Sequence, residues 1–327
     1  MKNFKNRNIL VTGGAGFIGS HLVKNLVKLG AKVAVTVKYK SIIDCPRLSS
    51  VWDKIDVIET DLRNLDSVLF LKKYKNKFEI IFHLAAYNHV GDSFNHISES
   101  IITNLLGTSN LLEYGPSYNR FIYTATSEVY GFQESVPFKE EDLPFPISPY
   151  AIGKYGGELY ANLKKHQNND EIICLRPFNT FGPYQSERAI IPELIIKCLK
   201  GAEIKTTEGL QTREFNFVDN IIDGFILAAK IEDIPKTPIN IGAGEEISIK
   251  DLIKKIHFLT KSKSKLSIGA LSNRPTEIWR MRAENTKAKS ILGWTASVPF
   301  ENGLIQTIKW FKNFFDLYFG EKGLRRL

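Results

Sequence analysis

Short β-branched and aliphatic runs alternate with longer stretches of helical spacing through the first half of the chain. The runs Asn8–Thr12, Lys32–Val37, Asp56–Glu59, Glu79–Leu84, Arg120–Thr124 and Ile172–Leu175 predict strands. Between them, Phe17–Leu29, Leu65–Lys73, Ser98–Glu113 and Tyr150–Lys164 predict helices. Strands that are apolar almost throughout belong to a parallel sheet buried on both faces, and the intervening helices supply the cover. Right-handed crossovers make such a sheet doubly wound. After Arg176-Pro177 the alternation breaks. Proline and glycine become frequent, one helix is predicted at Ile190–Lys200, and short pieces follow at Glu214–Val218 and Pro238–Ile241. The expected organisation is a large α/β unit over 1–178, with returns near 216–243, and a smaller mixed α/β substrate lobe over 179–327 interleaved with it. The cleft between them is the place for a ligand.

The composition fits a globular protein. The 327 residues are 43% hydrophobic and 24% charged, which excludes disordered and fibrous classes. No stretch reaches the roughly 18 apolar residues of a membrane span, and the polar start Met1–Arg7 lacks a signal-peptide core, so a cytoplasmic protein is expected. Three widely spaced cysteines, Cys45, Cys174 and Cys198, point to reduced thiols. The net charge of +9 comes from scattered lysines with no basic-aromatic groove, so it speaks for an anionic small molecule and against nucleic acid.

The first predicted strand runs into Gly13-Gly14-Ala15-Gly16-Phe17-Ile18-Gly19 and then into a helix. Glycines at 13, 16 and 19 allow a tight turn, close approach of a pyrophosphate to the backbone, and close helix–strand packing. In that context the turn predicts a dinucleotide site on a Rossmann sheet. Asp61-Leu62, after the third strand, is placed for the adenine, whose amino group a carboxylate can accept from. The second strand ends in Val37-Lys38 where an acidic residue would hold the ribose hydroxyls. A lysine cannot accept from a hydroxyl but pairs with a 2′-phosphate, so NADP is expected, with NAD as the alternative.

Tyr150 and Lys154 stand one helical turn apart behind Pro149, a spacing that puts both on one face. An ammonium beside a phenol favours the phenolate and is expected to lower its pKa. The fifth strand delivers Thr126-Ser127-Glu128 to the sheet edge where ligands bind. With His83-Leu84-Ala85-Ala86, Asn104–Thr108, Ser148–Lys154, Arg176–Pro183, Thr212–Asp219 and Arg274–Glu277, these motifs run in order along nearly the whole chain. In them the chain resembles the extended short-chain dehydrogenase/reductase family of nucleotide-sugar epimerases and dehydratases.

The resemblance implies a retained NAD(P) cofactor held by the glycine turn, Leu84, Ala85, Ala86, Tyr150 and Lys154. It implies that Tyr150 takes the C4 hydroxyl proton while the C4 hydride leaves, with Thr126 as hydroxyl partner. Glu128 matches the glutamate of the dehydratases, and Thr-Ser-Glu is the form of the GDP-mannose type. The reaction expected is therefore 4,6-dehydration, with Glu128 as base at C5 and either Glu128 or water held by Ser127 protonating the leaving hydroxyl. UDP-glucuronate decarboxylases share Thr-Ser-Glu, and they and the 4-epimerases stay as alternatives. A non-catalytic dinucleotide sensor is the alternative of another class, disfavoured because the chain keeps both tyrosine and lysine. Asn179, Arg213 and Arg274 match family contacts to the diphosphate and ribose, Arg188 is a further candidate, and His89 and Ser127 are placed at the sugar. His83, His89 and His96 share no helical face, so no metal is expected. The family's four-helix bundle implies a homodimer through Ser98–Glu113 and Tyr150–Lys164.

Overall fold

The computed structural model describes residues 3–39, 46–272 and 277–319. A seven-stranded parallel sheet is built from β1 (Asn8–Thr12), β2 (Lys32–Val37), β3 (Ile55–Glu59), β4 (Lys77–His83), β5 (Ser117–Thr124), β6 (Ile172–Pro177) and the strand Ile239–Ile241. Its spatial order is Ile239–Ile241, β6, β5, β4, β1, β2, β3. β1 lies between β2 and β4, with Val11 beside Val35 on one side and Phe82 on the other. The winding reverses between β1 and β4, and a crevice opens at the carboxyl ends of the strands there.

Alternation along the strands fills two layers. Ile9, Val11, Val33, Val35, Ile80 and Phe82 pack against Leu22, Val23 and Leu26 of the helix Phe17–Lys28 and against Ile221, Ile222 and Phe225. Leu10, Ala34, Ile81, Phe121 and Tyr123 face the other way, onto Val68, Leu71, Leu111 and Ala161. A third cluster, Val129, Tyr130, Phe138, Phe178, Ile278 and Met281, lies beyond the sheet edge. All six strands expected in the first half are present, and the piece expected at Pro238–Ile241 joins the large sheet beside β6.

The structure corrects two expectations. The segment expected as one regular helix over Ser98–Glu113 holds a π-helical turn, Ile102–Leu106, between Ile97–Ile101 and Gly107–Tyr114. After Pro177, helices Val218–Ala228, Ile249–Thr260 and Phe300–Phe319 accompany the expected Ile190–Lys200. Ile249–Thr260 buries Ile249, Leu252, Ile253 and Ile256, a helical stripe, behind Ser248, whose hydroxyl accepts from Asp251 N. No described helix is long and apolar enough to cross a membrane. Cys174 and Cys198 are buried free thiols, while Cys45 lies outside the described residues.

Candidate active site

The glycine turn closes against the end of β4. Gly13 has φ +69°, and a Cβ there would stand 2.7 Å from Ala85 N. A Cβ at Gly19 would lie 2.3 Å from Gly13 O, so the helix Phe17–Lys28 can start this close to β1 only with glycine in place. Gly16 caps that helix without a side-chain hydrogen bond, leaving the helix start to backbone groups, a ready anion site. Thr12 Oγ1 stands 2.7 Å from His83 Nδ1 and accepts from Ala85 N, and His83 Nε2 is 3.0 Å from Thr108 Oγ1. Burial, with Lys154 adding to it, pushes His83 down to about 3, so the ring is a neutral tie between β1, β4 and the Gly107–Tyr114 helix. Among the described residues no three His, Cys, Asp or Glu gather as a metal site.

A cavity of about 390 Å³ opens at the crevice. Gly13, Gly16, Phe17, Ile18, Gly19, Leu84 and Ala86 form one wall. Thr126, Ser127, Glu128, Tyr150 and Lys154 form another, and His89, Asn179 and Arg188 close the outer side. Asn88, Thr180, Gln185 and Ser186 also line it, and the sequence assigns none of them a role. Gln185 and Ser186 follow Gly182-Pro183 in a turn with no periodic signal.

Local structure explains the central group. β5 ends at Thr124, Thr126 caps the short turn Ser127–Val129, and Glu128 N donates to Thr126 Oγ1 at 3.2 Å. Ser148 caps the helix Pro149–Asn168 by accepting from Ala151 N, with proline in its first turn, which fixes Tyr150 and Lys154 at the helix start. Tyr150 and Thr126 line the same wall of the cavity. Lys154 is buried, its Nζ 4.6 Å from the centre of the Tyr123 ring, and Tyr123 donates to Lys154 O at 2.9 Å.

Burial governs all three titrating groups, and this corrects the expectation of a lowered tyrosine. Tyr150 is pushed up to about 12 by burial, with Thr126 opposing and Glu128 adding to the rise. Lys154 is pushed down to about 7, again by burial, against the pull of Glu158. A lysine that itself loses charge on burial cannot dominate its neighbour. The Glu128 carboxyl is raised by burial, with Arg213 opposing and Glu277 adding.

Several expected ligand residues are engaged by protein partners. Arg213 donates to Glu277 Oε1 at 2.6 Å and to the carbonyls of Thr212 and Ile278. Arg188 pairs with Asp92, and His89 Nδ1 accepts from Asp92 N at 3.0 Å. Asn179 Nδ2 donates to Glu214 O, and Ser127 Oγ donates to Met281 Sδ at 3.6 Å. The Leu62 side chain is buried in the core under its helices. Asp61 is clamped by Arg63 through Nε and Nη2, which holds its carboxyl below the usual range. Lys38 Nζ lies 3.5 Å from Glu99 Oε1. Arg274 lies outside the described residues. A second cavity of about 430 Å³ shares His89, Asn179 and Arg188 with the first and adds Phe181, Ile190, Ile191, Glu193 and Phe215.

Residues 10–307 match the family model described as GDP-mannose 4,6 dehydratase. A dTDP-D-glucose 4,6-dehydratase of Mus musculus is 30% identical over 352 residues, covering 97% of this chain and 92% of the relative. UDP-glucuronic acid decarboxylase 1 of Xenopus tropicalis is 32% identical over 317 residues, covering 94% of this chain and 72% of the relative. Among solved structures, a UDP-glucuronic acid 4-epimerase from Bacillus cereus, in complex with UDP-glucuronic acid and NAD, superposes with a TM-score of 0.85 at 29% identity, covering 93% of this chain and 99% of the other.

Proposed function

The chain belongs to the nucleotide-sugar epimerase and dehydratase family of extended short-chain dehydrogenases/reductases, and within it we propose that this protein is an NADP-dependent nucleotide-sugar 4,6-dehydratase. The observation that carries this reading is Glu128. Its carboxyl lines the same cavity as Tyr150 and Lys154, and its proton affinity is raised by burial. A carboxyl so placed can take a proton from carbon and return it to oxygen, which a 4-epimerase has no need to do.

The fit to a dinucleotide rests on the turn at Gly13, where a Cβ would strike Ala85, and on a helix start that has no side-chain cap and opens into the cavity. A bound nicotinamide supplies the acceptor for the C4 hydride and its donor back to C6, and in oxidised form its positive charge favours the Tyr150 phenolate. Tyr150 takes the proton of the C4 hydroxyl, and Thr126, on the same cavity wall, holds that hydroxyl in line. The resulting ketone acidifies the C5 hydrogen, and ionised Glu128 removes it. The same carboxyl then protonates the C6 hydroxyl as it leaves as water. A proton that Glu128 takes up again from solvent goes to C5 as hydride returns to C6, matched by the C4 hydroxyl proton that Tyr150 gives up to solvent. Ser127 is a poor holder of a water for that step, because its hydroxyl is turned to Met281 Sδ and is buried.

In this reading residues 1–178 with 216–243 hold the cofactor and 179–327 hold the nucleotide half of the substrate. Asn179 and Arg188 stand between the two cavities, the place for the diphosphate. Arg213, which lines neither cavity, and Arg274 serve the nucleotide in this reading. The protein works in the cytoplasm as a homodimer.

The test is incubation of the purified protein with nucleotide hexoses, followed by mass spectrometry. Loss of one water per sugar supports the proposal. Unchanged mass with a new isomer, or loss of carbon dioxide from a hexuronate, replaces it with epimerisation or decarboxylation. Glu128→Gln is expected to slow water loss by about 10²–10⁴-fold, while proton-coupled oxidation at C4 survives as a transient rise in reduced-nicotinamide absorbance. Unimpaired dehydration by that variant removes Glu128 from the mechanism.

A further inference from the structure

Four charged side chains meet beyond the carboxyl ends of β2 and β3. Lys38 directly follows β2, and Asp61 and Arg63 follow β3. Thr60 N donates to Val37 O at 2.9 Å, which ties the two strand ends together. Glu99 stands in the first turn of Ile97–Ile101. One carboxylate oxygen, Glu99 Oε1, lies 3.5 Å from Lys38 Nζ and 3.3 Å from Arg63 Nη1. An oxygen bearing negative charge thus already stands between two cations from different strands.

Arg63 is fixed for this position. Its Nε and Nη2 hold Asp61 at 2.9 and 2.6 Å, and Nη1 is the nitrogen left to turn outward. A guanidinium anchored along one edge keeps the other edge oriented, so an incoming anion need not order it. Lys38 follows the glycine turn by about 20 residues, the separation at which this fold meets the adenosine ribose. The group that meets both cations there is a 2′-phosphate.

We infer that Arg63 is the second cation of a 2′-phosphate site, and that Glu99 is the counter-ion that this phosphate displaces. The inference rests on the NADP reading above and adds the residues that decide between the two dinucleotides. An exposed carboxylate pair of this kind is weak and exchanges readily for a phosphate of higher charge. Glu99 has the opposite preference. A carboxylate can accept from a free 2′-hydroxyl but repels a phosphate, so it sets how well the site tolerates NAD. Arg63 and Glu99 therefore pull the choice of cofactor in opposite directions.

The experiment is calorimetric titration of the full chain with NADP and with NAD, for the wild type, Arg63→Ala and Glu99→Gln. Wild type is expected to prefer NADP. Arg63→Ala should weaken NADP at least about tenfold more than NAD, the loss of one charge-assisted bond pair. Glu99→Gln should shift the ratio toward NADP by a factor of about 3 or more, the worth of an exposed charge. Because either variant can disturb folding, the ratio of the two affinities is the readout, not either affinity alone. Equal changes for both dinucleotides, or none, overturn the inference. A wild type that binds NAD and refuses NADP also overturns it while the nucleotide-sugar reading stands. A protein that binds neither dinucleotide ends both.

Discussion

Tyr150 and Lys154 show how burial can invert an electrostatic expectation. The lysine beside the phenol does not lower it, because both groups lose hydration together and each is driven toward its neutral form. The consequence is measurable in the stability of the protein. In the unfolded chain Lys154 keeps its proton up to its ordinary value of 10.5, whereas folded it gives the proton up near 7. Between those values the unfolded state binds more protons, so the contribution of this residue to stability is complete above the unfolded value and is lost as pH falls toward 7. Wild type should therefore gain stability relative to Lys154→Met as pH rises from 7 to 10, by at most about 1.4 kcal/mol per pH unit. Urea unfolding of the two proteins across that range gives the difference directly, and a flat difference would mean the lysine stays charged when folded. In the proposed reaction the same variant should lose about 10²–10⁴-fold in turnover, the scale of a disabled acid–base pair.

Among the elements, the π-helical turn Ile102–Leu106 holds the segment that follows β4. It carries Asn104, whose side chain accepts from Tyr87 N at 2.8 Å and donates to Tyr87 O at 3.1 Å. This fastens the segment after β4 that supplies Leu84, Ala86 and His89 to the cavity. Asn104→Ala should leave both backbone groups unpaired and cost about 1–3 kcal/mol, read as a lower midpoint in urea at unchanged slope. An unchanged midpoint would show that other groups hold the segment. Nothing in the hydrophobic spacing of Ser98–Glu113 announces the extra residue in that turn, because apolar periodicity reports the face of a helix and not its winding. The glycine turn, by contrast, was legible to the residue, since backbone close approach leaves a mark in sequence that a side-chain contact does not. The stripe of Ile249–Thr260 and its serine cap were written in the sequence as plainly as any helix in the first half, and short strand-like pieces around them hid the pattern. The partners of Arg188 and Arg213 were illegible for another reason. Asp92 and Glu277 are 96 and 64 residues away, and only the folded chain puts them together.

At the scale of the whole molecule, the helices Ile97–Tyr114 and Pro149–Asn168 pack on each other through small residues. A Cβ at Gly153 would lie 3.0 Å from Asn104 Cβ, and one at Gly157 only 2.7 Å from Asn104 O. Their inner faces are thereby closed, yet Ile97, Ile102, Leu106, Ile152, Leu159 and Leu163 remain between 40% and 52% exposed. Apolar side chains gathered on two neighbouring helices are uncommon on a monomer and mark an interface. In the proposed homodimer a second copy related by a two-fold axis would cover them with the same face, because a two-fold interface is self-complementary. Leu106→Glu together with Leu159→Glu would place four carboxylates in that interface per dimer, each stripped of water without a partner. The cost of burying unpaired charge is several kcal/mol, enough to raise the dissociation constant by at least about a hundredfold. Light scattering at micromolar protein should then report the mass of one chain for the double variant and of two for wild type, with circular dichroism unchanged because the altered positions face outward. A double variant that stays dimeric would move the interface elsewhere on the molecule. A wild type of one-chain mass would mean that these six side chains face water in the working protein.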